Sequence, residues 1–347
     1  MRVKAAVIFR CPLLWAKFIL TGLPGLLLFA TIGSADGTPP QFGLPLQCTL
    51  GKTCFIQQYV DNDTGPGALD YTCGGATYDG HKGTDFRIRT LRDVDQGVPV
   101  LAAADGIVKA TRDGVPDRLV QSDRDRQAVA GRECGNGVVI SHGDGWETQY
   151  CHLKRGSIVA DKGARVTRGQ TIGSVGYSGR AEFPHVHLSV RHNGKVIDPF
   201  TGRSPSNGCR TQPTANLWSD AVAETLVYRA GEILAFEFAD GPVDLQDLVK
   251  GSQPLFAPAR NLPAIVVYMW AINLVKDDRI HLVLLGPDGE LVRQEAPALE
   301  RNKAQYMLFT GKKRPSGGWP KGTYTARLEV IRNGEPALGR TNSFVID

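Results

Sequence analysis

From about Cys54 to Phe200 the chain alternates apolar and polar residues in short runs, each closed by Gly, Asp or Asn. The runs FIQQYV, TDFRIRT, VPVLAA, GIVKATR, NGVVISH, ETQYCHL, TIGSVG and HVHLSVR are rich in β-branched and aromatic residues. That composition, with a period of two, predicts half-buried strands. No segment of comparable length sustains a helical period. The stretch from Asp113 to Glu133 is polar and charged and reads as a surface loop or short helix. Its place between two strands suits either a solvated insertion or the wall of a groove. A second block from about Asn216 to Asp347 repeats the strand pattern in LAFEFAD, AIVVYMW, IHLVLLG, YMLFTG, TYTARLEVI and SFVID. Turns such as Gly286-Pro287-Asp288-Gly289 and Asn333-Gly334 join these runs, and the spacing predicts an immunoglobulin-like β-sandwich. Between the blocks, residues 201–215 are rich in Pro, Ser and Gly and read as a linker. Residues 36–53 read as an extended lead-in. The expected fold class is all-β, with antiparallel sheets in both blocks.

Charge and cysteine content place this chain in a compartment. The formal charge of +5 is concentrated at the start, where Arg2, Lys4, Arg10 and Lys17 precede an apolar stretch from Phe18 to Ile32; the remainder is only about +1. Gly33-Ser34-Ala35 then supplies a small-residue site, so residues 1–35 read as a secretory signal peptide cleaved after Ala35. The apolar stretch is interrupted by Gly22, Pro24 and Gly25 and is short for a membrane span. A near-neutral mature chain gives no charge argument for nucleic acid or an anionic membrane. Six cysteines follow the leader: Cys48, Cys54, Cys73, Cys134, Cys151 and Cys209. An even number behind a leader predicts disulfides in an oxidising compartment. Cys134 and Cys151 flank the hairpin GVVISHGDGWETQY and face each other across it, which predicts a bridge between them. The other four allow three pairings.

The chemistry lies in three short motifs: His81 and Asp85 in GHKGTDF, His152 in QYCHL, and His185 with His187 in PHVHLSV. A catalytic zinc takes three ligands of this kind and keeps a fourth position for water. Five capable groups exceed that need, which frees some for general acid–base work. On a strand His185 and His187 share one face, so one metal can see both rings, or one ring can bind it while the other faces substrate. His142, His192 and His281 read as turn or surface residues, and Tyr78 and Tyr150 as packing residues. Trp146 and Phe183 are candidates for shaping a groove.

These motifs, with VPVLAAADGIVKA and GARVTRGQTIGSVGYSG between them, resemble the lysostaphin-type (LytM-like) zinc metallopeptidases from about Tyr78 to Phe200. The resemblance implies a peptidase domain over 54–200. It implies one zinc ion held by His81, Asp85 and His187, with His152 and His185 flanking the bound water and the substrate carbonyl as catalytic residues. It further implies a secreted endopeptidase of the periplasm or cell exterior that hydrolyses peptide cross-links of bacterial peptidoglycan through a zinc-bound water, whose pKa falls towards about 7. Two alternatives carry different expectations: a non-catalytic cell-wall binding or regulatory protein that retains the zinc site, and a latent enzyme whose groove is blocked by residues 36–71 or by the sandwich. The role of the sandwich is open at this level, since fold alone does not decide function.

Overall fold

Ten short strands carry the first block: β1 (Cys54–Gln58), β2 (Thr84–Ile88), β3 (Pro99–Leu101), β4 (Gly106–Arg112), β5 (Asn136–Gly143), β6 (Trp146–Leu153), β7 (Arg165–Val166), β8 (Thr171–Ser174), β9 (His185–His192) and β10 (Lys195–Ile197). In the computed structural model, residues 38–206 and 216–347 are described. The leader over 1–35, Asp36, Cys209 and most of the linker lie outside the described residues. Eight of the strands form one antiparallel sheet in the order β1-β2-β9-β6-β5-β4-β7, with β10 beside β9, while β3 and β8 make a separate pair. Alternation along these strands divides the sheet into two faces. Phe86, Ile88, Tyr150, Val186, Leu188 and Val190 point into a core shared with Val100 and Ile172. Asp85, Arg87, His185, His187 and Ser189 occupy the alternate positions.

The lead-in is not merely extended. Phe42 and Leu46 are buried in this first core, and so are Leu217, Trp218 and Leu226 from beyond the linker. Phe42 pairs with Trp218 in a parallel bridge, their rings 6.2 Å apart. Large apolar side chains in otherwise turn-rich segments thus seal the inner face. The first dozen residues after the linker, expected with the second block, pack on the first.

The insertion at 113–133 holds a helix, α1 (Asp123–Ala128), capped by Ser122 through Asp125 N–H. It is only partly solvated. Val120 is buried, and the Asp117 carboxylate accepts hydrogen bonds from Arg155 N–H and Tyr177 N–H.

The second block comprises β11 (Glu232–Ala239), β12 (Ala264–Leu274), β13 (Arg279–Gly286), β14 (Gly289–Glu295), β15 (Lys303–Lys313), β16 (Gly322–Arg332) and β17 (Glu335–Ile346). A three-stranded sheet, β11-β12-β15, faces a four-stranded one, β14-β13-β16-β17. Between them lies a core of Phe236, Val267, Met269, Leu282, Leu284, Trp319, Tyr324 and Leu328. β12 is buried at ten of its eleven positions. One of its faces meets that core; the other carries Val266, Tyr268 and Trp270 into a cluster with Leu234 and with Phe55 of β1. The sandwich therefore leans on the outer face of the first sheet, at the end next to the histidines. No helix among the described residues is long and apolar enough to cross a membrane.

Candidate metal centre and active-site groove

β2 and β9 pair so that Asp85 lies opposite His187, and Arg87 opposite His185. Directly opposed side chains on one face are within contact distance, so strand register alone joins two of the sequence motifs. His81 reaches the same point from the turn before β2. Its Nε2 is 3.2 Å from Asp85 Oδ1 and 3.1 Å from His187 Nδ1, and His187 Nδ1 is 2.8 Å from Asp85 Oδ1. Gly83 permits this close approach: a Cβ there would stand 2.6 Å from both His187 Nε2 and the Leu188 carbonyl oxygen.

Each histidine has one ring nitrogen committed to an acceptor, which fixes the tautomer. His81 Nδ1 donates to the Tyr59 carbonyl at 2.6 Å. His187 Nε2 donates to Ser189 Oγ at 3.0 Å, while that hydroxyl donates to the Lys82 carbonyl. His152 Nδ1 donates to the Ser178 carbonyl and His185 Nδ1 to the Phe183 carbonyl, both at 2.8 Å. What remains at the centre is a lone pair on His81 Nε2, another on His187 Nδ1, and the Asp85 carboxylate. These three atoms can hold a metal ion. A tetrahedral ion with bonds of about 2.0–2.1 Å spreads its ligands about 3.3 Å apart, close to the separations observed, so the donor set fits zinc.

His152 comes to the centre by a backbone irregularity. The β5–β6 register shifts between Asn136 and Val138, and His152 adopts φ of +65°. Plain alternation would send its ring to the core face with Tyr150. The bulge turns it instead towards His185, with ring centroids 4.5 Å apart. The bulge is tied down by His152 N–H donating to the Cys134 carbonyl at 2.8 Å and by the Cys134–Cys151 disulfide. That bridge is the one expected across the hairpin. A second joins Cys48 to Cys54, and Cys73 is also disulfide-bonded.

Electrostatics separate His152 and His185 from His81. Desolvation drives His152 well below the usual histidine range, helped by His185 and His187, and desolvation also lowers His185. Both are therefore neutral imidazoles at neutral pH. For His81 desolvation is outweighed by the Asp85 carboxylate, and the balance is upward. Asp85 is buried, which opposes its charge, yet His81 and His185 hold it well below the carboxylate range.

The cluster opens onto a cleft of about 550 Å³. Phe183 forms part of its wall, with its ring 4.5 Å from that of His185, and Tyr78 lies across His81 at 4.5 Å. Tyr78, expected to pack, is 49 % exposed at the rim. Tyr150 does pack: it is fully buried and its hydroxyl accepts from Ala103 N–H. His142 is held by the Asp105 carbonyl and Thr148, and His192 stacks on Trp146, so both lie apart from the cluster. Gln57, Arg87, Ser178 and Ser189 escaped the sequence reading. Ser189 and Arg87 were legible in principle, two residues along the strand from His187 and Asp85.

Residues 79–199 match Peptidase family M23. This segment is an M23 peptidase domain. The match ends within one residue of the resemblance traced from Tyr78 to Phe200. Peptidoglycan DD-endopeptidase ShyA of Vibrio cholerae serotype O1 is 33% identical to this chain over 125 residues, which make up 36% of this chain and 23% of that protein. DD-carboxypeptidase/endopeptidase Mpg of Neisseria meningitidis serogroup B is 32% identical over 128 residues, again 36% of this chain and 23% of that protein. The chain thus spans less than a quarter of the length of either relative. Among solved structures, the catalytic domain of the prophage-encoded M23 protein EnpA from Enterococcus faecalis is 25% identical; 46% of this chain and 94% of that one are covered, with a TM-score of 0.29.

Proposed function

We propose that this chain is an exported zinc endopeptidase that hydrolyses peptide cross-links of bacterial peptidoglycan in the periplasm or outside the cell. The observation that carries this reading is the division of labour among four histidines. The lone pairs of His81 and His187 converge with Asp85, while His152 and His185 present unprotonated Nε2 atoms beside them. The names of the relatives supply the substrate class, and the disulfides suit an oxidising compartment.

His81, Asp85 and His187 would hold the ion. Zinc, when bound, supplies the positive charge that makes water acidic near neutral pH and polarises a carbonyl. His152 and His185 do the proton work. With Nδ1 tied to a carbonyl, each ring can accept a proton only at Nε2, the atom facing the cluster. Burial keeps both rings free of protons until the attacking water yields one. The resulting imidazolium is stabilised by its carbonyl partner, can donate to the oxyanion, and can pass the proton to the leaving amine. Phe183 covers His185 and keeps bulk water from that ring.

The test is digestion of purified peptidoglycan sacculi by the mature chain, with and without a chelator, followed by mass spectrometry of the released fragments. Chelator-sensitive release of shortened cross-bridge peptides is expected. Stoichiometric zinc without release would favour the non-catalytic binding or regulatory reading.

A further inference from the structure

The cleft is not built by the M23 domain alone. One wall is the segment from Arg301 to Gln305, at the start of β15 in the sandwich. This wall is fixed from both sides. Gln57 Nε2, at the bulge of β1, donates to the Ala304 carbonyl at 3.3 Å, and Asn302 Oδ1 accepts from Lys276 N–H at 2.9 Å. Arg87 is fully buried between the Phe183 and Trp270 rings, at 4.8 and 5.1 Å, and reaches Gln57 Oε1 at 2.5 Å and Gln305 Oε1 at 3.4 Å. A guanidinium whose partners come from both blocks fastens the sandwich edge to the strand that carries Asp85.

The charge of the cleft is one-sided. Arg180 from the M23 domain, with Arg301 and Lys303 from the sandwich, line it, and none has an ion pair among the described residues. Of the two acids lining the same space, Asp85 belongs to the metal cluster and Glu182 is held by Arg126 at 3.0 Å. A second cleft of about 430 Å³ shares Gln58, Tyr78 and Asn302–Ala304 with the first, so the same edge borders a longer track along the junction. Unpaired cations on a fixed wall next to a cleavage site favour a ligand that brings its own negative charge, and exposed groups of this kind add affinity that salt weakens.

We infer that Arg301 and Lys303 of the sandwich, with Arg180 opposite, form a subsite for a free carboxylate on the peptide substrate. This rests on the endopeptidase reading for its substrate class, but not for its measurement. The sandwich is then part of the substrate site: it sets which peptides enter, while the M23 domain supplies the chemistry.

The experiment measures binding, not turnover. Tetrapeptides cut from purified peptidoglycan are labelled and used in two forms, with free carboxylates and with those carboxylates converted to methylamides. Affinities are read by fluorescence anisotropy for the full mature chain carrying His152→Ala, to prevent cleavage, with and without the pair Arg301→Glu and Lys303→Glu. The pair is expected to weaken the free-acid peptide at least tenfold and to leave the methylamide within about twofold. The milder pair Arg301→Gln and Lys303→Gln is expected to fall between, with unchanged melting temperature. Equal loss for both peptides, or no loss for either, would overturn the inference. Charge-selective binding by the His152→Ala chain, with no digestion of sacculi by the parent chain, would retain the subsite and sink the hydrolase reading, so the two failures are distinguishable.

Discussion

Ser189 illustrates how much of the site is decided outside its ligands. Its hydroxyl is the acceptor that leaves His187 Nδ1 bare for a cation, so Ser189→Ala is expected to weaken zinc binding about 10–100-fold without altering the fold. Competition with a chromogenic chelator measures it, and unchanged affinity would contradict the tautomer assignment. Gly83→Ala tests the close approach: the added methyl meets backbone as well as the His187 ring, and both zinc content and melting temperature are expected to fall. Asp198 carries a pH dependence. Burial raises it to about 6 from an ordinary 3.8, so the folded chain holds that proton more tightly than the unfolded chain does. The favourable contribution, about 3 kcal/mol, is complete below pH about 4 and is lost as pH rises through about 6. Asp198→Asn is expected to flatten this part of the stability profile relative to the parent chain; parallel profiles in denaturant titrations at pH 4 and 7 would refute it. At this scale the sequence revealed residue types well. His185 and His187 stand out because their i, i+2 spacing puts them on one face of a strand, and His81 and Asp85 because they fall together in the motif GHKGTDF. The carbonyls of Tyr59, Ser178 and Phe183 could not stand out, since a backbone acceptor leaves no mark in the side-chain pattern.

Strands were the most legible elements, because period-two alternation is a direct consequence of one buried face. β12 shows what that pattern hides. The run AIVVYMWAINL is apolar at successive positions because both its faces are covered, one by the sandwich core and one by Phe55 and its neighbours. The short strands β7 and β10 lacked enough residues to display a period. β6 is the informative exception: alternation there predicts the wrong face for His152, and only a bulge with a left-handed residue brings the ring to the centre. Such a conformation costs of order 1–3 kcal/mol for a non-glycine residue and persists because neighbouring contacts over-determine it. Replacing both Cys134 and Cys151 by Ser removes one of these. Opening the 17-residue separation is expected to cost about 3 kcal/mol, read as a lower denaturation midpoint. Activity of the still-folded fraction should fall as well, because the bulge that aims His152 is loosened. Full specific activity at a reduced midpoint would show that the bridge only stabilises.

For the molecule as a whole, sequence suggested two blocks on a linker, whereas the described residues 38–206 and 216–347 lie within one compact body. The difference has physical causes. Leu217, Trp218 and Leu226 lie beyond the linker but are buried with the first sheet, and Phe55 and Arg87 are covered by the sandwich. Local periodicity carries no information about which faces meet. A chain ending at Ser206 is therefore expected to aggregate or to melt well below the full chain, since it loses a buried Trp and uncovers a buried cation; equal stability by calorimetry would contradict this. The sandwich borders the cleft without filling it, as a space of about 550 Å³ remains at the cluster. The most direct measurement is zinc content and peptidoglycan hydrolysis determined together for the parent chain, His187→Ala and His152→Ala. The expected result is one zinc with turnover in the parent, neither in His187→Ala, and zinc retained with hydrolysis reduced about 10²–10⁴-fold in His152→Ala. Equal zinc in the parent and His187→Ala, or undiminished hydrolysis in His152→Ala, would contradict the assignment of these histidines.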